Sequence, residues 1–271
     1  KREGEIMTQQ ASKSRGKMVN SFDPLAIERL DQATAQLVRR RMALLGPAYR
    51  LFYQNPVEVS RGSGVHLYDR DGNEYLDAYN NVPCVGHGHP RVVDAVATQL
   101  ATLCTHTRYI QEGILNYAED LLGTFAGDVG RAMFTCTGSE ANDLALRIAK
   151  RITGHNGIII TSEAYHGNSE LTAGISPSLG AYSPLGVWVR RIPAPDSYRI
   201  PRDQIVPLLV RSVSQAIEEL QRHGDGVAAF IADSLFSSDG IFSDPAVLAP
   251  IAETVRQAGG LVIADEVQSG F

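Results

Sequence analysis

An apolar run that ends in two acids is the strongest chemical feature of this chain. Leu261-Val262-Ile263-Ala264 is followed at once by Asp265-Glu266-Val267-Gln268. Four apolar residues after Gly259-Gly260 read as a buried strand of a parallel sheet. Ligands of open α/β sheets sit beyond the carboxyl ends of such strands. Asp265 therefore stands where a ligand would stand, at an apolar edge where a carboxylate needs a cation or hydrogen-bond donors. The protonated ring nitrogen of a cofactor would serve. An arginine, or the backbone of a helix that the acid caps, would serve equally.

Two other strand ends carry complementary chemistry. Ala132–Cys136 reads as a strand, Thr137-Gly138 as a turn and Ser139 as the N-cap of a helix. Ala141, Leu144, Ala145, Ile148 and Ile152 would line the buried side of that helix. Free N–H groups and the helix dipole at such a start favour a phosphate. Gly138 lets the backbone approach closely, and Ser139 adds a hydroxyl. No lysine follows the glycine as in a P-loop, and an ordinary capped helix shows the same pattern. The run Ile158–Thr161 leads to Ala164-Tyr165-His166-Gly167, where Tyr165 could stack on a flat ring or simply lie on the surface. Together, a phosphate cradle, a ring platform and an acid suit a phosphorylated heteroaromatic with a basic ring nitrogen. Pyridoxal phosphate is that molecule, and an acid beside its pyridinium is the expected electronic tuning.

Other chemistries fit less well. His87, His89, His106 and His166 lack an H-E-x-x-H pattern and nearby acidic partners, so no metal is expected. No G-x-S-x-G elbow marks a hydrolase. Cys84, Cys104 and Cys136 form no C-x-x-C pair and read as buried free thiols of a reducing cytoplasm. The formal net charge of −5 argues against nucleic acid as a partner, and no apolar run reaches the length of a membrane span.

The elements that must position these residues follow from periodicity. Residues 1–23 are polar and unpatterned and read as a flexible N-terminus without a signal-peptide core. Residues 24–85 read as a helix over 24–45 and a β-meander at 57–59, 65–68 and 74–76. Arg39-Arg40-Arg41 would be a solvated face of that helix. Residues 86–271 read as one α/β domain. Its helices are expected at 90–103, 112–125, 139–152, 204–222 and 246–258, and its strands at 132–136, 157–161, 187–191, 227–232 and 261–264. Such alternation signals a mostly parallel sheet.

The motifs that carry the chemistry also resemble a known family. Asp71-Gly72, Tyr75-Leu76-Asp77, Gly86-His87-Gly88-His89-Pro90, Thr137-Gly138-Ser139-Glu140-Ala141-Asn142, Ala164-Tyr165-His166-Gly167 and Asp265-Glu266-Val267-Gln268-Ser269-Gly270-Phe271 are similar to those of class III pyridoxal-phosphate aminotransferases of fold type I. The resemblance implies a fold-type-I sheet flanked by helices, a small N-terminal α+β segment and a C-terminal part beyond this chain. It implies that Gly138 and Ser139 hold the phosphate, Tyr165 stacks on the ring with His166 beside it, and Asp265 pairs with the ring nitrogen. Val267 would pack on the other ring face and Gln268 reach the phenolic oxygen. Glu140 and Asn142 would support the phosphate helix. A homodimer is implied as well.

Two departures stand out. Where the family carries Glu-Pro after the strand before the Asp265 strand, this chain has Asp233-Ser234, which puts a supporting role for Asp233 in doubt. The family's Schiff-base lysine follows the D-E-x-Q motif and is expected beyond Phe271, because none of Lys1, Lys13, Lys17 and Lys150 has a matching context. Tyr79-Asn80-Asn81-Val82, Thr107-Arg108-Tyr109 and Ile175-Ser176-Pro177 resemble the branch of alanine–glyoxylate aminotransferases and ethanolamine-phosphate phospho-lyases. The base rate within the family favours amino transfer from a small amine or amino acid to a 2-oxo acid. The alternatives are phosphate elimination from a phosphorylated amine and a non-catalytic binding protein. Arg108 could receive a substrate carboxylate or phosphate, or pair with a neighbouring acid.

Overall fold

The computed structural model describes residues 20–79, 84–127 and 129–270. Most of the expected N-terminal tail, Asn80-Asn81-Val82 and Phe271 lie outside the described residues. The chain divides into two compact units, 1–106 and 107–271, whereas the sequence pattern places the division after residue 85.

In the first unit the helix expected over 24–45 is broken in two. Pro24–Arg29 forms a 3₁₀ turn, Leu30 is extended, and α1 runs from Gln32 to Leu45. The break has a local cause: the Asp31 carboxylate accepts from Ala33 N and Thr34 N and starts a new helix,. Arg39 and Arg40 are exposed and Arg41 is half-buried. The meander is present as β1 (Val59–Ser63), β2 (His66–Asp69) and β3 (Glu74–Leu76), all antiparallel. Residues beyond 85 join it through a bridge from His87 to Gly64 and through His87 Nε2, 2.8 Å from Asp77 Oδ2. That hydrogen bond holds the Asp77 carboxyl below its usual range,. α2 (Pro90–Thr102) begins at the expected proline. Its apolar residues Val93, Val96 and Leu100 are all exposed.

The second unit opens with α3 (Glu112–Leu122), which buries none of its residues. The strand expected at 132–136 does not form; Met133 and Phe134 are exposed there. A β-favouring sequence becomes a strand only when a ladder partner accepts its N–H groups, and no described segment pairs with this one. α4 (Gly138–Thr153) follows and ends at a left-handed Gly154,. Then come β4 (Gly157–Thr161), α5 (Glu170–Ala173), β5 (Val189–Ile192), α6 (Arg202–Arg222), β6 (Val227–Ala232), α7 (Leu248–Gln257) and β7 (Leu261–Ala264).

The four strands lie in the order β5-β4-β6-β7, and every pairing is parallel. β4 and β6 are covered on both faces, which is why they are apolar at successive positions,; β7, expected to be buried, is an edge strand with Leu261, Val262 and Ile263 half-buried and Ala264 exposed. In β4, Ile159 packs with Ile205, Leu209 and Val213 of α6, while Ile158 and Ile160 point the other way onto Leu146 and Ala149 of α4. All three cysteines, expected to be buried, are exposed. They sit in segments flanking α2 and α4 that no described neighbour covers.

Candidate functional site

The carboxyl ends of β4, β6 and β7 and the start of α4 surround one cavity. It is lined by Gly138, Ser139, Asn142, Tyr165, His166, Gly167, Asp233, Asp265, Val267 and Gln268. Every residue expected to contact a cofactor is among them. Its volume is about 170 Å³.

The helix start differs in detail from the expectation. Thr137, not Ser139, is the N-cap: its hydroxyl accepts from Glu140 N at 3.1 Å. Glu140 reaches back to accept from Cys136 N at 2.8 Å, so this acid caps the helix start rather than lining the cavity. Ser139, one residue into the helix, accepts from Asn168 N at 3.1 Å and so joins the helix start to the Tyr165 loop. Gly138 and Gly167 form a cradle that side chains would fill. A Cβ on Gly138 would lie 2.6 Å from Val267 Cγ2, and one on Gly167 would lie 2.6 Å from Ser139 Oγ. Gly167 was legible only as part of the quoted motif.

Asp265 is buried, and its surroundings explain how. Oδ2 accepts from Asn142 Nδ2 at 2.8 Å and lies 2.7 Å from His166 Nδ1. His166 Nε2 is buried without a hydrogen-bond partner among the described residues. Among the described residues Oδ1 has only Val267 N, at 3.4 Å. The His166 backbone is anchored by its N–H to Ser176 Oγ at 2.8 Å; Ser176 was quoted for resemblance alone, and nothing in its spacing marks this contact. Tyr165 is partly exposed at the cavity edge.

The buried side of α4 is Asn142, Leu146 and Ala149. The expected stripe is displaced: Ile148 and Ile152 are exposed and Leu144 and Ala145 half-buried. The helix is apolar on two faces, and the hydrogen bonds of Asn142 are made by the buried one.

Asp233 lines the cavity, but its oxygens serve its own turn, accepting from Leu235 N, Ser237 N and the Ser237 hydroxyl. Ser234, in place of the family's proline, donates to Glu266 Oε2 at 3.0 Å, which also accepts from Ser269 Oγ at 2.6 Å. These bonds fix the turn that carries Val267 and Gln268. Asp239 accepts from Thr161 Oγ1 and Glu163 N, and burial pushes its carboxyl above the usual range. Arg108 is exposed and is not among the lining residues. Lys150 lies over the Trp188 ring, 3.8 Å from its centroid, near the far end of α4. Among the described residues no group of three or more His, Cys, Asp or Glu could hold a metal.

Comparison with known proteins shows the family. The class-III aminotransferase family model matches residues 51–271. An alanine–glyoxylate aminotransferase 2-like protein of Drosophila melanogaster is 37% identical over 92% of this chain and 54% of its own length. Ethanolamine-phosphate phospho-lyase homolog 1 of Caenorhabditis elegans is 35% identical over 87% of this chain and 54% of its own. A solved phospholyase from Arthrobacter, in complex with phosphoethanolamine, superposes with a TM-score of 0.82 at 46% identity, covering 87% of this chain and 57% of that one. The chain thus spans about half the length of the curated relatives it matches.

Proposed function

The chain belongs to the class-III aminotransferase family, whose cofactor is pyridoxal phosphate, and on that premise we propose that the cavity holds this cofactor and acts on a small primary amine. Its residues fit the group. The α4 start offers N–H donors at Gly138 and Ser139, in a space that Cβ atoms would close, to a dianionic phosphate. Tyr165 and Val267 border the cavity as the two ring faces would require, and Gln268 is available to a ring oxygen. Asp265 keeps Oδ1 nearly free for a ring N–H, while Oδ2 is held by Asn142 and His166. When bound, the cofactor supplies an electron sink for the pair left as the substrate carbon loses a proton. The part of this chain is to anchor it, keep a negative charge at its ring nitrogen and wall off one side.

Within the family, our reading is phosphate elimination from a small phosphorylated amine. The observation that carries it is the 46% identity to a phospholyase in complex with phosphoethanolamine. Amino transfer, favoured by family base rate, is the second reading, and the 37% likeness to an alanine–glyoxylate aminotransferase 2-like protein supports it. Incubation of the full polypeptide with phosphoethanolamine separates the two. Elimination releases inorganic phosphate, ammonia and acetaldehyde. Transfer instead converts alanine and glyoxylate to pyruvate and glycine without phosphate release. A homodimer is part of the proposal, supported in each unit by uncovered apolar helix surface such as Val93 and Val96, or Leu115 and Tyr117,. Sedimentation as an active monomer would refute it. A cytoplasmic location is proposed from the three unpaired thiols and is tested by cell fractionation.

A further inference from the structure

The buried face of α4 carries one polar residue among apolar ones. Asn142 stands with Leu146 and Ala149, where an amide is costly unless its donors are used. Both are used. Nδ2 donates to Asp265 Oδ2 at 2.8 Å and to the His166 carbonyl at 2.9 Å, and a primary amide has one N–H for each. His166 Nδ1 reaches the same Oδ2 at 2.7 Å. Three segments thus meet at one oxygen: the first turns of α4, the loop after β4 and the end of β7.

We propose that Asn142 is a positioning residue for Asp265. Its amide, with the His166 imidazole, occupies Oδ2 and fixes the rotation of the carboxylate, so that Oδ1 is the oxygen offered to the cofactor. Through the His166 carbonyl the same amide ties that acid to the loop carrying Tyr165, so acid and ring platform are held in one register. The proposal rests on the cofactor reading above and adds to it a residue whose amide donors are spent on Asp265 and the His166 carbonyl.

The test is an absorbance titration of the full polypeptide with pyridoxal phosphate across pH, for the wild type, Asn142→Asp and Asn142→Leu, with thermal unfolding as the check on folding. The titratable groups facing position 142 are Asp265 from β7 and His166 from the loop after β4, with Asp239 interacting with His166 from beyond it. The carboxyl introduced by Asn142→Asp can donate to Oδ2 only while protonated; once ionised it faces Asp265 as a like charge. Its cofactor affinity should therefore fall as pH rises through the titration of the introduced group, a limb the wild type lacks. The limb reports electrostatic contact between position 142 and the acid that partners the cofactor, which a position remote from Asp265 would not show. Asn142→Leu continues the apolar stripe, keeps the comparison available where the acid variant unfolds, and should bind about tenfold more weakly for want of one hydrogen bond to a charged acceptor. A folded Asn142→Asp whose pH profile parallels the wild type, or a folded Asn142→Leu that binds as the wild type does, overturns the positioning role. Failure of the wild type itself to bind the cofactor overturns the reading beneath it.

Discussion

Replacing Asp265 by Asn removes one charge and keeps the shape. The structure says where each atom of the new amide would settle. Two donors, Asn142 Nδ2 and His166 Nδ1, converge on Oδ2, so the amide oxygen must take that position. The amide nitrogen is then forced into the place of Oδ1. A ring N–H that met a carboxylate oxygen now meets an N–H. The cofactor loses a hydrogen bond to a charged group, about 1.5–3 kcal/mol, which is roughly a 10- to 150-fold weaker association at 1.4 kcal/mol per decade. The fold loses less: both donors keep an acceptor, now neutral, at about 0.5–1.5 kcal/mol for a typical bond of that kind. Equilibrium binding of pyridoxal phosphate by absorbance, with thermal unfolding alongside, separates the effects. A folded Asp265→Asn protein with wild-type cofactor affinity and turnover would refute the assignment of this acid to the ring nitrogen.

Two further outcomes follow from the same geometry. Gly138→Ala should leave stability nearly unchanged, because it gains about 0.4–1 kcal/mol from a less flexible unfolded chain and displaces only the exposed Val267 side chain, 2.6 Å from the new Cβ. Cofactor affinity should nonetheless drop about tenfold or more as the methyl and the displaced valine enter the ring and phosphate space; unchanged affinity in a binding titration would contradict the cradle. Asp239 has its folded-state carboxyl raised above 3.8, chiefly by burial, so the folded chain holds that proton to higher pH than the unfolded one. Its contribution to stability is present at low pH and is lost as pH rises from about 3.8 through the raised folded value. Urea unfolding of wild type and Asp239→Asn across that window should show the wild type losing ground to the variant; a difference independent of pH would be the contrary result.

The sequence by itself determined the order β4, β5, α6, β6, α7, β7 and the residues that follow those strands. Short apolar runs such as Ile158–Thr161 and Leu261–Ala264 pair into the sheet, fully buried in β4 and half-buried in the edge strand β7, and the chemistry-bearing residues follow them directly,. Tyr165 and Asp265 were legible for that reason. Local chemistry was less so, because several residues compete for one role: Thr137 and Ser139 both offer a capping hydroxyl, and only backbone geometry decided for Thr137. Tertiary structure alone decided the rest. Residues 132–136 have strand composition and no strand partner among the described residues, since pairing depends on which segment arrives alongside. α4 offers two apolar faces, and it turned inward the one bearing Asn142. The bond from Asn142 to Asp265 spans 123 residues of sequence. No periodicity reaches that far, because a hydrogen bond between distant residues exists only once the sheet has brought the start of α4 and the end of β7 together.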